Sequence, residues 1–277
     1  MDEKMMKTTA QTPSIYEHGA KTDKVVLLIP AYNEAKNIGR VIQQVREVVP
    51  DIDIVVINDG SKDSTARLAE AAGAKVVSHP FNMGYGAACQ TGYKYACRQD
   101  YDYAIQMDAD GQHEPSSVYD LLKAIREPDV DIVMGSRWLG VIEYQGPIIR
   151  KIGKHLFAGL ANMLTGLNIT DPTTGFQALG RKVMAFYTTE VYPVDFPDAD
   201  MIILLKRAGF NVKEIPVTMY RDETGQSMHS GILRPLYYGF KMMLSILMTL
   251  LRDDKGSKLD EPLGHLMPHQ REDTSGI

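Results

Sequence analysis

The first half of the chain alternates short unbroken apolar runs with segments whose apolar residues recur at helical spacing, and this alternation decides the fold class. Val25 to Ile29 is a continuous apolar run, after which Ile38, Val41, Ile42, Val45 and Val49 follow the 3.6-residue period of a helix. The pattern repeats. Ile54 to Ile57 precedes a helix over Asp63 to Ala72 that ends at Gly73. Lys75 to Ser78 precedes a helix over Gly86 to Arg98, and Tyr103 to Met107 precedes one opened by Pro115 and running to Arg126. Asp131 to Met134 is a fifth run. A strand with one wet face alternates apolar and polar residues, whereas a strand apolar throughout is covered on both sides. Such strands separated by amphipathic helices predict an α/β fold with a mainly parallel central sheet and helices on both faces.

In a sheet of this kind ligands bind beyond the carboxyl ends of the strands, and the polar residues gather there. Pro30-Ala31-Tyr32-Asn33-Glu34 follows the first run, Asn58-Asp59-Gly60-Ser61 the second, Asp108-Ala109-Asp110 the fourth and Gly135-Ser136-Arg137 the fifth. Gly, Asn, Asp and Pro make turns for local reasons, which accounts for Pro30 and Gly60. It does not account for carboxylates recurring on one edge, where their repulsion is unfavourable without a cation. Asp108 and Asp110 flank one small residue where the chain turns at a strand's end, so both can converge on one point. Gln112 offers a carbonyl oxygen to the same point. Mg²⁺ or Mn²⁺ takes such oxygen ligands and keeps positions open for phosphate oxygens. An ordinary acidic loop is the plain alternative.

The chain has 277 residues, of which 44% are hydrophobic, enough for one large domain or one domain with an appendage. Its net charge of -5 gives no basic field, which argues against nucleic acid as a partner. Cys89 and Cys97 lie on one predicted helix, roughly 12 Å apart at the helical rise, too far for a disulfide. Reduced packing cysteines and a polar start without an apolar signal core suit a cytoplasmic protein. Beyond residue 140 the alternation gives way to other patterns. Pro147 to Leu167 reads as a helix mixing Arg150, Lys151, Lys154 and His155 with apolar residues. Asp171 to Phe176 reads as a turn into a short strand, Asp200 to Arg207 as a helix and Val212 to Val217 as a strand. Arg221 to Gly231 is a polar loop. The stretch from Leu236 to Leu251, broken by Tyr237, Gly239, Lys241 and Ser245, suits a helix lying on a membrane or on another subunit rather than crossing a bilayer.

Taken together, Ile29-Pro30-Ala31-Tyr32-Asn33-Glu34, Asn58-Asp59-Gly60-Ser61, Asn82-Met83-Gly84-Tyr85-Gly86, Asp108-Ala109-Asp110-Gly111-Gln112-His113, Gly135-Ser136-Arg137 and Asp171-Pro172-Thr173-Thr174-Gly175-Phe176 resemble the inverting family 2 glycosyltransferases. The group most resembled is the dolichyl- or polyprenyl-phosphate hexose synthases. The resemblance spans about Val25 to Leu251 and implies a GT-A type nucleotide-sugar-binding fold. It implies that Pro30, Ala31, Tyr32 and Glu34 border the base and ribose, with Asp59, Gly60 and Ser61 beside them and Gly84 and Ala109 near the donor. Glu34 has an equal claim as a carboxylate favoured by a helix N-terminus. The loop Asn82 to Gly86 serves equally well as a plain lead into its helix. Asp108, Asp110 and Gln112 would hold the Mg²⁺ or Mn²⁺ that bridges the diphosphate of a UDP- or GDP-hexose.

Arg137, Thr174, Arg221 and Ser227 are the implied acceptor contacts, since an arginine fork matches phosphate oxygens. The loop reads Arg221-Asp222-Glu223-Thr224-Gly225-Gln226-Ser227-Met228, with Met228 where the resembling synthases carry lysine. A phosphate monoester, with a second pKa of about 6, attacks without a base. A sugar hydroxyl benefits from one, and Asp198 is the candidate, with Asp200 next to it; helix capping before Met201 is their other reading. The expected catalytic set is therefore Asp110, Arg137, Asp198 and Arg221.

The expected organisation is a flexible stretch 1–22, a catalytic domain 23–232 with an interface helix at 147–167, an amphipathic helix 233–252 and a disordered tail 253–277. The expected protein is peripheral on the cytoplasmic face of the membrane, reaching lipid directly or through a small membrane protein. Transfer to a hydroxyl of a glycolipid or polysaccharide is the rival within the class. A non-catalytic nucleotide-sugar sensor and a nucleotidyltransferase are the rivals outside it.

Overall fold

The structure, a computed structural model, describes residues 23–140, 148–193, 199–220 and 243–251, with side chains from residue 157 onward in the second stretch. Strands β1 (Val25–Ala31), β2 (Asp53–Asn58), β3 (Lys75–Ser78), β4 (Tyr103–Gln106) and β5 (Ile132–Ser136) alternate with helices α1 (Ile38–Val48), α2 (Thr65–Ala71), α3 (Tyr85–Arg98) and α4 (Ser117–Ile125). Then come α5 (Ile148–Thr165), β6 (Gln177–Gly180), α6 (Arg181–Tyr187), α7 (Ala199–Arg207) and β7 (Val212–Pro216). Residues 243–251 form a further helix. Where they fall on described residues, the expected strand and helix positions agree to within about two residues at their ends; the stretches 1–22 and 253–277, the loop 221–231 and the expected helical positions 233–242 lie outside the described residues.

The seven strands form one sheet in the order β3-β2-β1-β4-β6-β5-β7. β1, β2, β3 and β4 are parallel neighbours, as are β5 and β7, whereas β6 runs antiparallel to both β4 and β5. The alternation of side chains along β1 shows why its run is apolar throughout. Val25, Leu27, Ile29 and Ala31 join a core with α1 and α4, while Val26 and Leu28 join a second core with α3, α6 and α7. Each such large aliphatic side chain contributes about 1.5–3 kcal/mol by leaving water. Gly92 brings α3 close to the sheet, since a Cβ there would lie 3.1 Å from Ile57 and 3.2 Å from Leu28.

Two features depart from the sequence reading. The helix α6 was not foreseen, and one strand in the middle of the sheet is reversed. That reversal matters for function. Gln177 opens β6 opposite Gln106, the last residue of β4. The segment leading into β6 therefore arrives at the edge where the parallel strands β1, β2, β4 and β5 end. Helix 243–251 packs Ile246 into a cluster with Phe157 and Ala161 of α5 and Ala199 and Ile203 of α7. Ser245 donates to Asp200, and Arg207 donates to the carbonyl of Thr249 at 2.8 Å. Cys89 and Cys97 are free and buried.

Candidate active site

The site begins where β1 and β2 end side by side, with Ala31 paired to Asn58. Asn33 takes a left-handed φ of 56°, a conformation that asparagine tolerates better than most residues. This turn lets its amide donate to Ser61 Oγ (3.0 Å) while its side-chain oxygen accepts from the Lys62 amide (2.9 Å). Glu34 N–H donates to Thr65 Oγ1 at 2.8 Å, and its carboxylate accepts from the Asn37 amide nitrogen at 2.9 Å. Glu34 thus sits in the turn that leads into α1, its carbonyl accepting from the Ile38 amide at 2.9 Å. Tyr32 is partly exposed beside this seam.

Asp59 is 2% exposed and receives three hydrogen bonds. The amides of Met83 and Gly84 donate to its two oxygens at 2.8 and 2.9 Å, and His79 Nδ1 lies 2.7 Å from one of them. The other imidazole nitrogen meets Thr91 Oγ1 at 2.9 Å. The carboxylate therefore shapes the loop that opens α3. Gly60 (φ 65°) closes against the same loop. A Cβ there would stand 2.4 Å from the backbone carbon of Phe81.

Asp108 lies just past β4, its carboxylate gripped at both oxygens. Tyr85 donates to Oδ1 at 2.7 Å, and His113 Nε2 lies 3.2 Å from Oδ2. Burial alone would raise its pKa, but the hydrogen bond and charge of His113, the Tyr85 hydroxyl and the positive field of Arg137 outweigh it and hold the carboxyl below its usual range. Burial pushes the Tyr85 hydroxyl far up, with the Asp108 charge acting in the same direction. That hydroxyl therefore remains a donor. Asp110 Oδ1 accepts from the Gln112 amide at 2.9 Å, which folds the acidic turn back on itself. Ala109 between them is buried. His113 packs on Phe176 with ring centroids 4.6 Å apart, and its Nδ1 is buried with no hydrogen-bond partner among the described residues.

The reversed strand completes the edge. Arg137, at the end of β5, makes a two-pronged ion pair with Asp171, Nε to Oδ2 at 2.6 Å and Nη2 to Oδ1 at 3.1 Å. Asp171 is itself fully buried, so this is no surface salt bridge. The Arg137 fork also reaches the Thr173 carbonyl and hydroxyl. Thr174 is buried, and its hydroxyl accepts from the Phe176 amide at 3.2 Å. Gly175 lies flush against the acid site. A Cβ there would meet Tyr85 Oη at 2.7 Å and Asp108 Oδ2 at 2.8 Å.

The fold thus brings Pro30, Ala31, Tyr32, Glu34, Asp59, Gly60, Ser61, Gly84, Asp108, Ala109, Asp110, Gln112, Arg137 and Thr174 to adjoining turns on one sheet edge. Asp198, Arg221 and Ser227 lie outside the described residues. Tyr85, His113 and Gly175 stood inside the quoted motifs without a role. Gln106 carried one available signal, a polar side chain closing the strand β4, whereas His79 lies just past β3 and carried none. Among the described residues no cluster of three or more His, Cys, Asp or Glu could cage a metal by itself. The available donors, two carboxylates and a carboxamide, are hard oxygens of the kind that share a cation with phosphate.

Comparison with known proteins fits this geometry. The family model for glycosyl transferase family 2 matches residues 26–186. The undecaprenyl-phosphate mannosyltransferase of Micrococcus luteus is 31% identical over 75% of this chain and 88% of its own. The polyprenol monophosphomannose synthase of Mycolicibacterium smegmatis is 30% identical over 76% of this chain and 82% of its own. Among solved structures, the glucosyl-3-phosphoglycerate synthase of Mycobacterium tuberculosis, in complex with Mn²⁺, UDP and its product, superposes with a TM-score of 0.61 at 21% identity. That match covers 84% of this chain and 82% of the other. At that identity the likeness carries the fold, which is of the GT-A type.

Proposed function

The chain belongs to glycosyl transferase family 2, and from that premise we propose that it transfers a hexose, with inversion, from a nucleoside diphosphate sugar to a polyprenyl phosphate at the cytoplasmic face of a membrane. The observation that carries this reading is the edge itself. A turn that can border a nucleoside, an acidic turn whose Asp108 is held anionic, and Arg137 stand on one sheet edge. The names of the relatives in Micrococcus and Mycolicibacterium support the lipid phosphate as acceptor.

In this reading the turns 30–34 and 58–61 hold base and ribose, and Asp108, Asp110 and Gln112 would hold Mg²⁺ or Mn²⁺ against the diphosphate. When bound, that cation neutralises charge developing on the departing phosphate. The chain's own contribution is to keep Asp108 ionised and fixed in direction, through His113 and Tyr85. Arg137, beside its pairing with Asp171, would meet the acceptor phosphate together with Arg221 and Ser227, which follow β7 in sequence. The acceptor oxygen is already anionic, so attack on the anomeric carbon from the face opposite the diphosphate needs no general base. Asp198 would serve as base only for a hydroxyl acceptor.

The membrane reading rests on a second observation. Among the described residues no helix is long and apolar enough to cross a bilayer. Yet Met163 and Leu164 of α5 and Leu244, Leu247, Met248 and Leu251 of helix 243–251 are exposed. Lipid is the proposed occupant of this face. Lys241 and Arg252 flank it in sequence, as anionic headgroups would favour.

Incubation of the protein with UDP- or GDP-hexose, Mn²⁺ and a short-chain polyprenyl phosphate tests the proposal. The expected product is a lipid-linked phosphohexose whose anomeric configuration is opposite to the donor's. Transfer only to glycolipid or polysaccharide hydroxyls, abolished by Asp198→Asn, would establish the rival acceptor. Binding of the donor without any product would make the protein a sensor.

A further inference from the structure

The carboxylate of Asp108 is aimed by a chain of buried hydrogen bonds that starts at Tyr93, further along α3 from Tyr85. The Tyr93 hydroxyl donates to Gln106 Oε1. This fixes which end of the Gln106 carboxamide is the donor. Gln106 Nε2 then donates to the Tyr85 oxygen at 3.0 Å and to the Gly175 carbonyl at 3.0 Å. With its lone pair engaged in this way, the Tyr85 hydroxyl points its hydrogen at Asp108 Oδ1, 2.7 Å away. Every link has one donor and one acceptor in a set order. Gln106 is 3% exposed, so the chain of bonds is closed off from water. The missing side chain at Gly175 leaves room for the Tyr85–Asp108 contact.

We infer that Tyr85 and Gln106 are positioning residues for the cation site. They hold Asp108 in the one orientation in which the remaining lone pairs of its carboxylate face the diphosphate. The inference rests on the proposed role of Asp108 as a metal ligand and adds what orients that ligand. The physical basis is general. A carboxylate bound at one end rotates about its Cβ–Cγ bond, and fixing it before the ion arrives removes that freedom from the cost of binding. Loss of such outer contacts weakens metal affinity about 10- to 100-fold. The hydrogen-bonded route from Gln106 to Asp108 runs through the Tyr85 hydroxyl, while its second bond holds the carbonyl of Gly175 beside the same carboxylate.

Calorimetric titration of Mn²⁺ into the full chain, with UDP present in one arm and GDP in the other, reads this directly. Tyr85→Phe keeps the ring and deletes only the hydroxyl. It should weaken Mn²⁺ binding at least tenfold, with nucleotide affinity in the absence of metal unchanged and turnover restored by excess Mn²⁺. Gln106→Leu should weaken Mn²⁺ binding as well, yet add little in the Tyr85→Phe background, because the two act in series. If Tyr85→Phe fails to fold by thermal melting, Gln106→Leu alone carries the comparison. Mn²⁺ affinity equal to that of the unaltered protein, or independent additive losses from the two substitutions, overturns the inference and leaves the proposed function standing. Failure of the unaltered protein to bind Mn²⁺ in both arms overturns the metal role of Asp108 and this inference together.

Discussion

Asp110 and Arg137 occupy the same sheet edge, but their surroundings assign them different kinds of sensitivity. Asp110 sits in the acidic turn, where it accepts a hydrogen bond from the Gln112 amide. Asp110→Ala should lower metal-dependent release of nucleoside diphosphate about 100- to 1,000-fold, as for loss of a group that stabilises transition-state charge. A normal rate in that variant refutes the assignment. Arg137 is different because its partner Asp171 is 0% exposed. Arg137→Ala strands a buried carboxylate, and with the arginine partly open to solvent the cost is about 2–3 kcal/mol. For a chain of this size that lowers the melting temperature by several degrees. Arg137→Lys keeps the charge but not the two-pronged contact, so it should recover stability more than activity. Equal melting temperatures for Arg137→Ala and the unaltered protein would show that the ion pair is not what holds this turn. The placement of these side chains on one sheet edge was legible in the sequence because it depends on residue type and on position after a strand. The contact of Tyr85 and Gly175 with Asp108 was not, because it joins segments 23 and 67 residues away that only the folded sheet brings together.

The elements divide in the same manner. The parallel strands announced themselves because burial on both faces demands an unbroken apolar run, and α1 because its buried Ile38, Val41, Ile42 and Val45 fall on one stripe. Helix α6 has no stripe. Val183, Met184, Ala185, Phe186 and Tyr187 are buried in succession, so no helical period appears in its sequence. The direction of β6 was hidden for another reason. A strand of four residues carries no mark of polarity, and its reversal follows from the path of the chain through α5. At this scale Asp59 is the residue to test. Its carboxylate takes two backbone amides and a histidine, and so ties the end of β2 to the loop that opens α3. Asp59→Ala leaves these donors without a partner, at a cost of about 1–3 kcal/mol for each that water does not reach. The amides of residues 80–86 should then exchange with solvent hydrogen at least tenfold faster, with those of α1 little affected. Unchanged protection in that loop would mean that the carboxylate is not its anchor, and would leave contact with the nucleoside as its sole assignment.

On the scale of the whole molecule the C-terminal helix is turned the unusual way. Ile246 and Thr249 face inward, while Leu244, Leu247, Met248 and Leu251, spaced three and four residues apart, form a stripe that faces out. Leu247 is 50% and Met248 62% exposed. A stripe of this kind on a soluble surface is unfavourable unless something covers it. Ser245 and Arg207 fix the helix to α7, so the stripe is presented by a rigid support. Replacing Leu247 and Met248 together by Asp removes two apolar anchors worth about 1.5–3 kcal/mol each and adds charge that anionic headgroups repel. Sedimentation with vesicles of mixed neutral and anionic phospholipid should show at least a 100-fold fall in bound protein for this double variant. Binding of UDP and Mn²⁺, proposed for the strand ends and not for this helix, should stay as it was, and transfer to a water-soluble, short-chain acceptor should persist. Transfer to a long-chain polyprenyl phosphate in vesicles should fall with the binding. Retained vesicle binding would remove this face from the membrane contact. Loss of self-association without any change in vesicle binding would make it an interface between copies of the chain.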